Sequence, residues 1–208
     1  MSPADAAPLD AEGFRRASGV SRETLGRLQD YLELLILWNR RINLVSRASL
    51  ADPWRRHLLD SAQLLPLLPH GARVLVDLGS GAGLPGLVLA ILGVPRVHLV
   101  EADQRKAAFL REAARVAAAS VTIHPERIEA IPSFPADVVT ARALAPLPRL
   151  IELSRRFLAP HGVCLFLKGR NAAEELTAAH KAWKMRAQRL PSATDAGAGI
   201  LRLEPRAP

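Results

Sequence analysis

The segment Val74-Leu75-Val76-Asp77-Leu78-Gly79-Ser80-Gly81-Ala82-Gly83-Leu84-Pro85-Gly86 constrains the fold more than any other stretch of this chain. An apolar run of strand length leads into a glycine-rich turn and then into a helical pattern that opens near Leu84, with Pro85 suited to a first helical turn. Glycines let the chain turn tightly and remove the Cβ atoms that would keep a ligand off the main chain, while the helix start offers free N–H groups. Such a unit belongs at the carboxyl edge of a parallel sheet, where open α/β folds bind ligands. The next apolar run, His98-Leu99-Val100-Glu101, ends in a carboxylate able to accept two ribose hydroxyls, 22 positions after Gly79. That spacing carries the loop and the acid to one sheet edge.

The remaining chain supports the same architecture. From Arg73 onward short apolar runs alternate with helical stretches, which predicts strands at 73–78, 96–101, 121–124, 136–140 and 163–168 and helices at 84–92, 104–118, 147–158 and 172–183. A final antiparallel pair, 186–190 with 200–203, is expected at one edge of the sheet. Upstream, Ser21 can cap a helix whose Leu25, Leu28, Leu32, Leu35 and Ile36 share one face as far as Trp38, and Pro53 can open a second helical stretch to Leu65. The expected organisation is a flexible N-terminus over 1–20 with a short helix near 11–17, a helical cap over 21–70, and an α/β, Rossmann-like main domain over 71–208.

Two cofactor classes fit the loop. Gly81-Ala-Gly83-Leu-Pro-Gly86 satisfies the dinucleotide pattern and keeps an NAD-dependent oxidoreductase open. The acid two residues before the first glycine, Asp77-Leu-Gly79, instead matches the form used by S-adenosylmethionine enzymes, where a carboxylate can lie near the cofactor's amino group. The chain left after the cap is also too short for a second mononucleotide-binding half plus a substrate domain.

Charge narrows the substrate. Lys and Arg outnumber Asp and Glu by 28 to 20, so the field favours polyanions. The lone thiol, Cys164, lies in an apolar run and reads as a buried small hydrophobe suited to a reducing compartment. The six histidines are scattered without ligand spacing, so no metal site is expected. Neither a secretory signal nor an apolar stretch of membrane-spanning length is evident, and a cytoplasmic location is the expectation.

Further segments make the chain resemble the ribosomal RNA guanine-N7 methyltransferase G family, also called glucose-inhibited division protein B. They are Trp38-Asn39-Arg-Arg-Ile-Asn43-Leu44, Arg56-His57-Leu-Leu-Asp60-Ser61, the stretch from Asp77 to Gly86, Glu126-Arg127-Ile128-Glu129, Ala141-Arg142-Ala143 and Leu167-Lys168-Gly169. The resemblance spans most of the chain and departs near the C-terminus, where 204–208 replace a longer basic strand end. It implies transfer of a methyl group from S-adenosyl-L-methionine to a guanine N7 in the decoding region of 16S ribosomal RNA, on naked RNA or a small-subunit particle, with no obligate protein partner. It also implies cofactor contacts from Asp77, Gly79, Ser80, Gly81, Gly83, Leu84, Glu101, Ile128, Glu129 and Arg142, and substrate positioning by Arg142, Lys168, His57, Asp60 and Asn39. A small-molecule methyltransferase with the same loop stays as an alternative.

Several of these residues have a plainer reading. Glu129 alone fits a surface turn, Arg142 an exposed structural arginine, and Arg56, His57 and Asp60 a local polar cluster. Guanine N7 carries a lone pair and no proton, so no general base is needed. Arg142 and Lys168 are expected to hold phosphate or the guanine O6. Phosphates are expected to meet Arg40, Arg41, Arg47, Arg55, Arg56, Arg105 and Lys106, whereas Trp38, Trp54 and Phe109 belong to the core.

Overall fold

The computed structural model describes residues 7–180 and 185–205. The first turns of chain form α1 (Ala11–Ser18), capped by the Asp10 carboxylate, and α2 (Arg22–Asn39), capped by the Ser21 hydroxyl as its sequence predicts. Buried Leu25, Leu28, Tyr31, Leu32 and Leu35 make the inner stripe of α2, while Ile36, at the edge of that stripe, is exposed. A π-helical segment (Trp54–Leu59) runs into α3 (Asp60–Ala62), which realises the second helical stretch of the cap in an irregular form.

The main domain alternates β1 (Val74–Leu78), α4 (Gly86–Ile91), β2 (Arg96–Val100), α5 (Gln104–Val116), β3 (Val121–His124), β4 (Ala136–Arg142), α6 (Leu147–Ser154), β5 (Leu158–Lys168) and α7 (Ala172–His180). It closes with β6 (Met185–Pro191) and β7 (Gly199–Pro205), the expected antiparallel pair. The last predicted turn of α7, 181–183, lies outside the described residues. The seven strands form one sheet in the order β3-β2-β1-β4-β5-β7-β6, with β1 to β5 parallel and β7 antiparallel to β5. The order reverses at β1, which β2 and β4 flank, and this switch point opens a crevice at the carboxyl edge.

Alternating side chains split the core between the two faces of the sheet. Leu75, Leu99 and Val138 share one continuous cluster with Leu87 and Phe109 and with Leu28, Tyr31 and Leu58 of the cap, so the cap and the sheet bury a common interior. Val76, Val139 and Phe166 pack on the other face against Leu150 and Ile151. Trp54 packs on Phe14 at a tilt of 46° and Trp38 meets Phe109 edge-on, in keeping with their expected place in the core.

Some boundaries differ from expectation for local reasons. β5 begins at Leu158, five residues early, because Leu158 pairs with Ala136 before the register shifts to Val138–Val163, which leaves 159–162 as an irregularity without partners in that register; α6 accordingly stops at Ser154. Helix α4 begins at Gly86 rather than Leu84, since the chain from Ser80 to Leu84 is held in turns closed on the Ser80 carbonyl.

Candidate active site

The glycine loop is built from backbone that other residues cannot adopt at ease. Gly79, Gly81 and Gly83 have φ of 65°, 55° and 85°, and Ser80 N–H bonds to the Val100 carbonyl across the sheet edge. Below the loop, Asp77 is fully buried, accepting hydrogen bonds from Gly86 N–H (3.2 Å) and from the Thr140 hydroxyl (2.7 Å). Burial pushes its carboxyl up to about 6, with the Thr140 and Gly86 hydrogen bonds working in the opposite direction. The first N–H of α4, expected to face a ligand, is therefore spent on Asp77. The Asp77 carboxylate itself sits under the cradle rather than on its surface.

Glu101 braces the loop from the side. Its Oε2 accepts Gly81 N–H at 2.8 Å and its Oε1 accepts Asp103 N–H at 2.9 Å, which leaves further lone pairs on both oxygens. Gly79, Gly81, Glu101, Ile128, Glu129 and Leu144 line a cleft of about 440 Å³. Glu129 there pairs with Arg149, which also pairs with Glu152. Leu84 is buried behind this surface, and Tyr31 ties it to the cap by donating to the Ala82 carbonyl at 2.8 Å.

A second cleft, of about 540 Å³, opens on the other side of the segment after β4 and is lined by Arg56, His57, Asp60, Arg142, Lys168 and Glu175 among others. Ala143, held at a left-handed φ of 52°, lies on the wall of both clefts. Arg142 faces the second cleft, not the first: its Nη1 lies 3.3 Å from His57 Nδ1 and from the Arg56 carbonyl, and 3.6 Å from Asp60 Oδ2. A guanidinium is always a donor, so His57 Nδ1 accepts and Nε2 carries the proton. That Nε2 is buried and is the one side-chain polar atom of this kind without a partner among the described residues. Burial, then the charges of Arg142 and Arg56, push the His57 imidazole down to about 3, so it is neutral at physiological pH.

Burial also raises the Asp60 carboxyl, opposed by the Thr194 hydroxyl bonded to it at 2.6 Å and by Arg142 and Arg56. Lys168 is anchored by the Ala145 carbonyl (2.9 Å) and by Glu175 Oε2 (2.7 Å). Asn39 lines neither cleft. Its side chain binds Leu44 N–H, Val45 N–H and the Val45 carbonyl, bracing the turn that carries Leu44 and Val45 to the cleft wall.

Local spacing already placed Arg56, His57 and Asp60 together, but Thr140, Thr194 and Asp195 were missed because each joins through contacts distant in sequence, and Glu175 because its pairing with Lys168 crosses from the end of β5 into α7. Of the phosphate-seeking cations, Arg55 is committed to Asp52 and the Ala7 carbonyl, and Arg56 to Asp195. Arg40, Arg41 and Arg47 remain exposed on the Asn39-braced turn. The scattered histidines hide one meeting: His98 Nδ1 lies 3.0 Å from His124 Nε2 across β2 and β3, although no third metal-ligating group joins them among the described residues.

A family profile described as rRNA small subunit methyltransferase G matches residues 24–200. The chain belongs to the ribosomal RNA small subunit methyltransferase G family. A member from Rhodospirillum centenum is 61% identical over 198 residues, covering 95% of this chain and 92% of that protein. Membership in the methyltransferase G family does not favour the oxidoreductase and small-molecule alternatives. Among solved structures, ribosomal protein L11 methylase from Lactobacillus delbrueckii aligns with a TM-score of 0.61 at 14% identity, covering 71% of this chain and 77% of that one. An O-methyltransferase from Bacillus cereus aligns with a TM-score of 0.61 at 15% identity, covering 86% and 90%. At such identities the likeness shows the fold, a Rossmann-like methyltransferase sheet. No helix among the described residues is long and apolar enough to cross a membrane.

Proposed function

We propose that this chain methylates a guanine N7 of 16S ribosomal RNA, using S-adenosyl-L-methionine held in the glycine-lined cleft and the target base in the Arg142 cleft. The observation that carries the reading is the meeting of the two clefts at Ala143, which separates a donor site from an acceptor site by one small residue. The residues fit the donor: a Cβ on Gly79 would stand 2.5 Å from Leu144 Cδ1 and narrow the cradle, and Glu101 has lone pairs for two hydroxyls. Gly79, Gly81, Glu101, Ile128 and Glu129 hold it at the surface, while Asp77, Ser80, Gly83 and Leu84 shape the loop from behind.

Bound there, S-adenosyl-L-methionine supplies an electrophilic methyl group. The protein's own task is to orient and desolvate, a contribution of roughly 7 to 11 kcal/mol in favourable model reactions. Neutral His57 and the Asp60 carboxyl fix Nη1 of the Arg142 guanidinium, and Arg142 lines the second cleft, where its other N–H groups serve a phosphate or base oxygen. Asn39 acts through the turn it braces, presenting Arg40, Arg41 and Arg47 to the RNA backbone. The same reading has the protein act in the cytoplasm, on ribosomal RNA as naked strand or small-subunit particle. The cap over 21–70 and the domain over 71–208 act as one unit, since they share a core. Mapping 7-methylguanosine in ribosomal RNA from cells lacking this protein tests the proposal: one site of modification should vanish, and an unchanged map would refute it.

A further inference from the structure

Lys168 and Glu175 form an anchored pair that the orientation of Arg142 does not use. Lys168 ends β5 and shares the sheet face of Cys164 and Phe166, opposite to the face from which Arg142 approaches, so the second cleft straddles the sheet edge with one cation on either side. Lys168 is only 9% exposed and Glu175 27%, deep enough for their hydrogen bonds to discriminate yet open to the cleft. Two contacts hold Lys168 Nζ, the Ala145 carbonyl and Glu175 Oε2, and an ammonium has three N–H groups. The carboxylate is fixed likewise, with both of its bonds, from Lys168 and from Leu147 N–H at 2.7 Å, falling on Oε2. One donor on Lys168 and the lone pairs of Glu175 Oε1 are left side by side.

We infer that this pair reads the target base, Lys168 donating to O6 of guanine and Glu175 Oε1 accepting its N1–H. The inference rests on the proposed guanine specificity and names the residues that supply it. Guanine presents an acceptor beside a donor on this edge, whereas adenine presents the reverse, an amino donor beside an N1 acceptor, so both protein groups would face a like partner. Uracil shares the guanine pattern but has no N7 to methylate. Ala145, which holds Lys168, also lines the donor cleft, so a base gripped at O6 has its neighbouring N7 edge next to the shared wall.

The pair also favours the reaction beyond binding. In the transfer the N7 lone pair forms the new N–CH3 bond, the S–CH3 bond breaks with its electrons kept by sulfur, and no proton leaves. The positive charge passes to the purine, which makes N1–H more acidic and strengthens its bond to Glu175 as the methyl moves. An interaction that grows along the reaction raises kcat as well as affinity.

The test uses the full chain and ribosomal RNA carrying guanine, inosine or 2,6-diaminopurine at the position methylated in the wild-type reaction, with single-turnover rates and, without donor, equilibrium binding. Inosine, which keeps O6 and N1–H, should react within about threefold of guanine, whereas diaminopurine, which reverses both groups but keeps N7, should react at least about 100-fold more slowly and bind more weakly. Glu175→Gln, whose amide can turn a donor toward an N1 acceptor, should lose guanine rate and shrink the guanine-to-diaminopurine ratio below about ten. Equal rates on guanine and diaminopurine with the wild-type protein would overturn the inference, as would a Glu175→Gln loss that leaves the ratio intact. The wild-type analogue series decides the matter even if the variant does not fold. Formation of 7-methylguanosine without discrimination sinks this inference alone; no 7-methylguanosine on guanine RNA sinks the proposed function and this with it.

Discussion

Replacing Asp77 with Asn should stabilise the protein at neutral pH while weakening its donor site. Asp77 is fully buried and its carboxyl stands at about 6 against 3.8 in the ordinary state. A folded pKa above the unfolded one means the folded chain holds the proton more tightly, so stability falls as pH rises from about 4 through 6. The penalty for ionising it is of order 3 kcal/mol at pH 7 and about half that at pH 5. Asn is isosteric, can still accept Gly86 N–H, and can donate to a Thr140 hydroxyl that turns to accept. Urea unfolding of both proteins at pH 5, 6, 7 and 8 measures the difference, which removes the opposing contribution of His57: its depressed pKa costs stability as pH falls. The Asn variant should gain on wild type progressively from pH 5 to 7 and then level off, while calorimetry shows weaker donor binding. A variant less stable at every pH, or a gap independent of pH, would refute the account of Asp77 as a charge kept at the expense of stability.

Other expectations follow from single contacts. Gly86→Ala places a Cβ 2.6 Å from Asp77 Cβ and from Leu99 Cδ2, and thermal melting should show a loss of about 1 to 3 kcal/mol. Tyr31→Phe removes the buried bond from the cap to the glycine loop and should lose about 1 kcal/mol by denaturant unfolding, with no loss indicating that this tie contributes nothing. Arg142→Ala should cut the single-turnover rate on ribosomal RNA at least about tenfold while calorimetric donor affinity changes little, because Arg142 faces the second cleft; intact turnover would remove it from the site. RNA affinity should fall steeply between low and physiological salt, and Arg40, Arg41 and Arg47 replaced together by Ala should flatten that slope by about two to three units, whereas Arg55→Ala should act on stability instead.

Much of the fold was legible because its signals are local. Glycines at fixed spacing, a strand ending in Glu101 and a Ser21-capped apolar stripe each depend on neighbours a few residues apart, and they determined the parallel sheet, the cap and the place of the glycine-lined edge. The same locality brought Gly79, Gly81 and Glu101 into one reading, together with the grouping of Arg56, His57 and Asp60. What each polar group does was decided only by tertiary contacts: Thr140 reaches Asp77 across 63 residues through strand register, His57 meets Arg142 across 85, and Thr194 meets Asp60 across 134. Folding also spends the α4 N–H on Asp77, ties Arg55 to the Ala7 carbonyl and Arg56 to Asp195, and sets Lys168 against Glu175. A side chain's chemistry is written in its residue type, but whether that chemistry is free for a ligand depends on which distant partner folding has already placed beside it.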